Sequence, residues 1–138
     1  MPDYEVVVAS GTLRAPASES TAFPHRWTDE GVAVQATFTG AHLLHLAVAG
    51  CVLNDVHREA QSLGIPVDGV RVTADGGFDE DWSSRGIVYT VDVATDASVE
   101  DLDRLLAVVD EVAEIPRAVR AGAAVRRVES GAGDTPTA

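Results

Sequence analysis

Ala41-His42-Leu43-Leu44-His45-Leu46-Ala47-Val48-Ala49-Gly50-Cys51-Val52-Leu53-Asn54-Asp55-Val56-His57-Arg58-Glu59-Ala60-Gln61-Ser62-Leu63, closed by Gly64, is the stretch on which the reading of this chain turns. It contains no proline and ends at a glycine, the usual residue after a helix C-terminus. One helix over Ala41–Leu63 would run about 35 Å, the width of a small domain. Its first half, Leu43 to Leu53, is apolar nearly all round apart from His45, and so needs cover on several sides. Its second half, Asn54 to Ser62, reads as amphipathic and surface-facing. A small monomer has little material to cover such a helix on both sides, which points to a dimer.

The segments on either side switch to a period of two. Tyr4 to Ala9 reads as a strand, with Ser10-Gly11 as a turn and a short extended piece near Thr12 and Leu13. Val32, Val34, Ala36 and Phe38 alternate with Ala33, Gln35, Thr37 and Thr39, a strand with one buried face. Between them, Ala15 to Glu30 mixes prolines and hydroxyl residues with Phe23 and Trp27 and reads as a long loop. Beyond the helix, Val70, Val72 and Ala74 form one strand and Ile87, Tyr89, Val91 and Val93 its hairpin partner, joined through Gly76-Gly77 and Asp79-Glu80-Asp81. Ser98-Val99-Glu100-Asp101 opens a further helix in the manner of a capping box. Leu102, Leu105, Leu106, Val109, Val112 and Ala113 carry it, and Arg117 to Ala121 adds a short turn after Pro116. Ala123 to Val128 reads as a last strand. This order does not alternate as a doubly wound sheet would, so the fold class is α+β. Residues 1–128 make one domain and 129–138, rich in Gly, Thr and Pro, a flexible tail.

The chain has 138 residues, enough for a single core. Its 22 acidic residues against 10 arginines and no lysine give a net charge of −12. Such a surface repels phosphates and anionic headgroups, which argues against nucleic-acid or membrane binding. The single cysteine excludes an internal disulfide framework. No apolar run is long enough to span a bilayer, and Met1-Pro2-Asp3-Tyr4-Glu5 lacks the basic start of a signal peptide. A cytoplasmic location is therefore expected.

Three groups could carry chemistry. Cys51 is either a small buried hydrophobe or a thiol activated by a nearby cation. At 100° per residue, Asn54, Asp55 and Arg58 share its side of the helix. Asp55 would raise the thiol pKa, and Arg58, two turns away, would have to fold back to lower it. His42 and His45, at i and i+3, could share a metal, but no third ligand follows in a known pattern, and hydrogen bonding near the helix start accounts for them better. The acidic runs Asp79-Glu80-Asp81 and Glu100-Asp101-Asp103 lack calcium-loop spacing and read as solvated faces. Neither a metal nor an organic cofactor is expected.

The run His42-Leu43-Leu44-His45-Leu46-Ala47-Val48-Ala49-Gly50-Cys51 resembles the central helix of the OsmC/Ohr family, the osmotically inducible and organic hydroperoxide resistance proteins. Leu63-Gly64-Ile65-Pro66-Val67-Asp68-Gly69-Val70-Arg71-Val72 is similar to that family's exit from the helix into a strand, and the resemblance extends over about Thr37 to Val128. It implies an antiparallel sheet with a long central helix, built as an intertwined homodimer with sites at the interface. It also implies peroxiredoxin activity against organic hydroperoxides under oxidative stress. Cys51 then stands at the peroxidatic position, where a thiolate becomes a sulfenic acid. An arginine from the N-terminal strands should activate it, for which Arg14 is the best-placed residue and Arg26 a second. The pattern is incomplete. Ala113-Glu114-Ile115-Pro116 keeps the family's proline but has Ile115 where the resolving cysteine belongs, and Gly40-Ala41-His42 supplies no glutamate before the helix.

Two readings follow. In one, the chain is a one-cysteine thiol peroxidase that depends on an external thiol reductant. In the other, it is a non-catalytic dimer of the same fold that binds a small apolar ligand or acts structurally.

Overall fold

A computed structural model describes residues 3–131. Of the expected tail, 132–138 lies outside the described residues, Glu129 is exposed, and Ser130–Gly131 is an exposed turn. Five strands and three helices follow one another as β1 (Val6–Gly11), β2 (Thr21–Phe23), β3 (Val32–Gln35), α1 (Gly40–Leu63), β4 (Gly69–Phe78), β5 (Ser84–Ala94), α2 (Val99–Val112) and α3 (Glu114–Ala121). The strands form one antiparallel sheet in the order β2-β3-β1-β4-β5.

Helix α1 begins and ends as its residues dictate. The Thr39 hydroxyl accepts the His42 N–H at 3.2 Å, satisfying one of the amides that a helix start leaves free. Gly64 closes it at φ +69° in the left-handed region, where a residue with a Cβ would be strained. Its N–H returns to Ala60 and Gln61. Ser98 caps α2 by accepting the Asp101 N–H at 3.1 Å.

One face of the sheet is apolar by alternation. Val8 stands between Val34 on β3 and Val72 on β4, and Val72 pairs with Val91 on β5. Against this row α1 lays Ala49, Val52, Leu53, Val56 and Ala60, all buried. On its far side α1 packs against α2 and α3, with Leu105 and Val109 closing the core. The layers are thus sheet, α1, then α2 with α3. The other sheet face carries Gln35, Thr73 and Thr90 and the pair Arg71–Asp92 at 3.0 Å. Among the described residues no helix is long and apolar enough to cross a membrane.

Several expectations need correction. Ser10-Gly11 ends β1 and is not a turn, which falls on Thr12 and Leu13, and Gly76-Gly77 belongs to β4. The loop Ala15–Glu30 contains a short strand, because Thr21–Phe23 pairs with Val32–Val34. The strand after it stops at Gln35. Ala36 and Phe38 are exposed, and Thr37–Thr39 turns the backbone into α1. The second half of α1 is not merely surface-facing, since Asp55 and His57 are buried. Ala123–Val128 is not a strand: Gly122 at φ +74° turns the chain away, and Val125 is 95% exposed.

Candidate functional site

Cys51 lies in the middle of α1 and is half-buried. Its surroundings come from two elements. One turn further along α1 stands Asp55, and beyond it Arg58. The start of α3 supplies Glu114 and Ile115. The Cys51 thiol donates to Glu114 Oε2 at 3.5 Å, and the Ile115 N–H points at the sulfur from the same distance. Pro116 follows in the first turn of α3, where the missing N–H costs no helical bond, and it fixes the chain direction that brings Ile115 over the sulfur.

Arg58 folds back toward α3. Its guanidinium meets Glu114 Oε1 at 2.9 Å, Asp55 Oδ2 at 3.2 Å and Glu59 Oε2 at 3.0 Å. One cation therefore serves three carboxylates, with the thiol beside them. The consequences for titration follow. Burial pushes the Cys51 thiol above its ordinary range, and the Asp55 charge and the Glu114 hydrogen bond add to this, while the Ile115 N–H pulls the other way. Burial pushes Asp55 up to about 6 despite the opposing pull of Arg58. Glu114 is held down at about 2, first by its own main-chain N–H and then by Arg58. The thiol thus faces a carboxylate that is held ionised, in surroundings that disfavour the thiolate.

A cavity of about 260 Å³ lies next to this group, lined by Val48, Ile87, Tyr89, Pro116, Val119 and Arg120 among others. Val48 stands one turn before Cys51 on α1, and Pro116 adjoins Ile115, so this largely apolar hollow opens between α1, α3 and β5 close to the Cys51 group, although Cys51 itself does not line it.

The other residues singled out from the sequence fall elsewhere. Arg14 is exposed, and its Nε donates to the Gly11 carbonyl at 3.3 Å. Among the described residues of one protomer the guanidinium beside Cys51 is Arg58, not Arg14. Arg26 lies over the Trp27 ring at 5.6 Å. His42 and His45 hold separate partners: His42 Nδ1 meets the Thr39 hydroxyl at 2.6 Å, and His45 Nδ1 donates to the Tyr4 carbonyl at 2.8 Å. They do not converge on a shared point. The fully buried His45 stacks on Phe78 with ring centroids 5.9 Å apart.

Two features went unforeseen in the sequence. Glu114 is the first, although its place just before the Ile115-Pro116 dipeptide was a usable signal. The second is the buried pair Ser10–His57 at 2.7 Å, next to His25. Burial and the neighbouring His25 push His57 down to about 4, so it is a neutral core histidine that ties α1 to β1.

No curated protein matches the chain by sequence. A crystal structure of an OsmC-like hydroperoxide resistance protein from Jannaschia sp. CCS1 is 16% identical, covers 96% of this chain and 97% of its own, and superposes with a TM-score of 0.47. The family model described as OsmC-like protein matches residues 33–126, more than half of the chain. That span holds α1 with Cys51, the β4–β5 hairpin, α2 and the Glu114–Arg58 pair, and on it the chain belongs to the OsmC-like protein family.

Proposed function

We propose that Cys51 is the reacting thiol of a one-cysteine peroxidase that reduces organic hydroperoxides, working as a homodimer with an external thiol as reductant. One observation carries this reading. The Cys51 sulfur is not sealed among aliphatic side chains but is held between the Ile115 N–H and a carboxylate that Arg58 keeps ionised. The neighbouring apolar cavity suits the organic part of such a peroxide.

In this reading the sulfur attacks the terminal peroxide oxygen and the O–O bond breaks. The thiol proton passes to the departing alkoxide, so that thiol plus hydroperoxide gives sulfenic acid plus alcohol. One external thiol then condenses with the sulfenic acid, releasing water and leaving a mixed disulfide. A second external thiol restores Cys51 and leaves as the oxidised dimer. With Ile115 at the position of the family's resolving cysteine, the chain itself supplies no second thiol. Arg14 enters this reading only from the second copy of the chain.

A second reading, an inert thiol near a ligand cavity without redox chemistry, is favoured by the upward shift of the Cys51 pKa. Reaction of the purified protein with cumene hydroperoxide separates the two, followed by intact mass and sulfenic-acid trapping, with Cys51→Ser as control. Rapid sulfenate formation, faster than for a free thiol in solution and absent from Cys51→Ser, is expected. Reaction no faster than a free thiol overturns the peroxidase reading and leaves the ligand-binding one.

A further inference from the structure

The group around Cys51 has a second chemical property, independent of peroxide. One sulfur and one oxygen from each of two carboxylates, those of Asp55 and Glu114, all lie within 4.8 Å of one another. Cys51 and Asp55 are spaced i, i+4 on α1, so both project from one side of the helix, and Glu114 approaches from the start of α3. The Cys51 Sγ to Glu114 Oε2 distance is 3.5 Å. Two ligand atoms of a tetrahedral zinc, one sulfur and one oxygen, stand about 3.5 Å apart.

Two further observations point to a cation. Asp55 Oδ2 is buried and has no hydrogen-bond partner among the described residues, and the Asp55 side chain is only 4% exposed. Arg58 Nη2 forms an ion pair with that oxygen at 3.2 Å, and Arg58 is shared with two further carboxylates. A buried carboxylate oxygen without a donor is costly unless something else satisfies it. The charges also do not balance. Among the described residues, Asp55, Glu59 and Glu114 pair with one cation, Arg58, and two of these carboxylates, Asp55 and Glu114, adjoin the thiol.

We infer that Cys51, Asp55 and Glu114 form a site for a borderline-soft divalent cation such as zinc, with Arg58 as the outer partner that orients both carboxylates. Arg58 engages Glu114 through Oε1, which leaves Oε2 directed at the sulfur. Binding replaces the thiol proton by the metal, so one proton leaves per ion bound. Three protein ligands leave a fourth position for water. A bound ion occupies the lone pair that would attack a peroxide, and the site then switches Cys51 off.

The test is titration of the whole metal-free protein with cobalt(II), followed by competition with zinc, in excess magnesium and a non-thiol reductant. One equivalent per chain is expected, with a sulfur-to-cobalt charge-transfer band that zinc abolishes. The band should be absent from Cys51→Ser. Cobalt affinity should fall about tenfold or more in Asp55→Asn and in Glu114→Gln. Glu114 is exposed, so its variant keeps the fold and stays informative if the buried Asp55 variant does not. No charge-transfer band in the wild-type protein, or affinity unchanged in Glu114→Gln, overturns the site. The readout involves no peroxide. A protein that reduces cumene hydroperoxide but binds no cobalt fails this inference alone, and the converse result fails the peroxidase reading alone.

Discussion

At the scale of single residues, the position of Ile115 is the most informative. The family pattern has a cysteine followed by proline there, and in this chain the main-chain N–H of Ile115 lies 3.5 Å from the Cys51 sulfur. The backbone that would present a resolving thiol is therefore in place, and only the side chain differs. A disulfide requires Cα atoms no more than about 7 Å apart and side chains that converge. Ile115→Cys should meet this, and Ile115 is 40% exposed, so the replacement removes little core packing. On oxidation the variant should lose both free thiols in thiol titration and two hydrogens by mass, within one chain. Two thiols that persist, or that link only between chains, would mean that the start of α3 does not present residue 115 to Cys51. Cys51 was legible in the sequence as the central thiol, and Asp55 as a neighbour that would oppose its ionisation. Glu114 was not, because it stands 63 residues away and helical periodicity speaks only of neighbours on the same helix.

At the scale of elements, local pattern and local chemistry marked α1, the β4–β5 hairpin and α2 correctly, including Gly64 and the Ser98 cap. The errors fall where an element exists only through a distant partner. β2 is three residues with no buried face of its own and is a strand because β3 lies beside it. Ala123–Val128 has strand composition but no neighbour among the described residues, so composition misled there. The contact of β5 with α2 shows the same dependence and can be measured. Tyr89 donates its hydroxyl proton to the Asp110 carboxylate across that contact. Burial first, and then Asp110, push the phenol up to about 12. A folded pKa above the unfolded value of about 10 means that the bond contributes fully below pH 10. The contribution is lost as pH rises from 10 toward 12. Asp110→Asn should lower the Tyr89 titration midpoint, leaving only the elevation due to burial, with Tyr89→Phe identifying the signal in carbon NMR of labelled tyrosine. An unchanged midpoint in Asp110→Asn would mean that the carboxylate does not accept this proton.

At the scale of the whole molecule, one protomer leaves much apolar surface in water. Phe38 is 89% exposed, Val88 73% and Val125 95%, and Leu43 on the first half of α1 is 38% exposed. Val88 lies on β5 and Leu43 on α1, while Phe38 precedes α1 and Val125 follows α3; we propose that a second copy covers part of this surface. The near-continuous apolar run of α1 is what raises the expectation of a dimer: the sheet covers one side of the helix, and α2 and α3 cover only part of the other. Surface of this kind stabilises an association by about 25 cal/mol per Å² of apolar area removed from water. That gain is offset in part by lost rotational and translational freedom. Sedimentation equilibrium at micromolar concentration should therefore return twice the chain mass. The thermal midpoint should rise with protein concentration, because association binds only folded chains. Leu43→Glu puts a charge where the first half of α1 should meet its partner. It should shift the equilibrium toward monomer and make the midpoint independent of concentration, while the far-ultraviolet spectrum keeps its helical signal. A wild-type chain that sediments as a monomer, with a midpoint indifferent to concentration, would leave these residues as ordinary solvent-facing apolar surface and would confine the site around Cys51 to what one protomer provides.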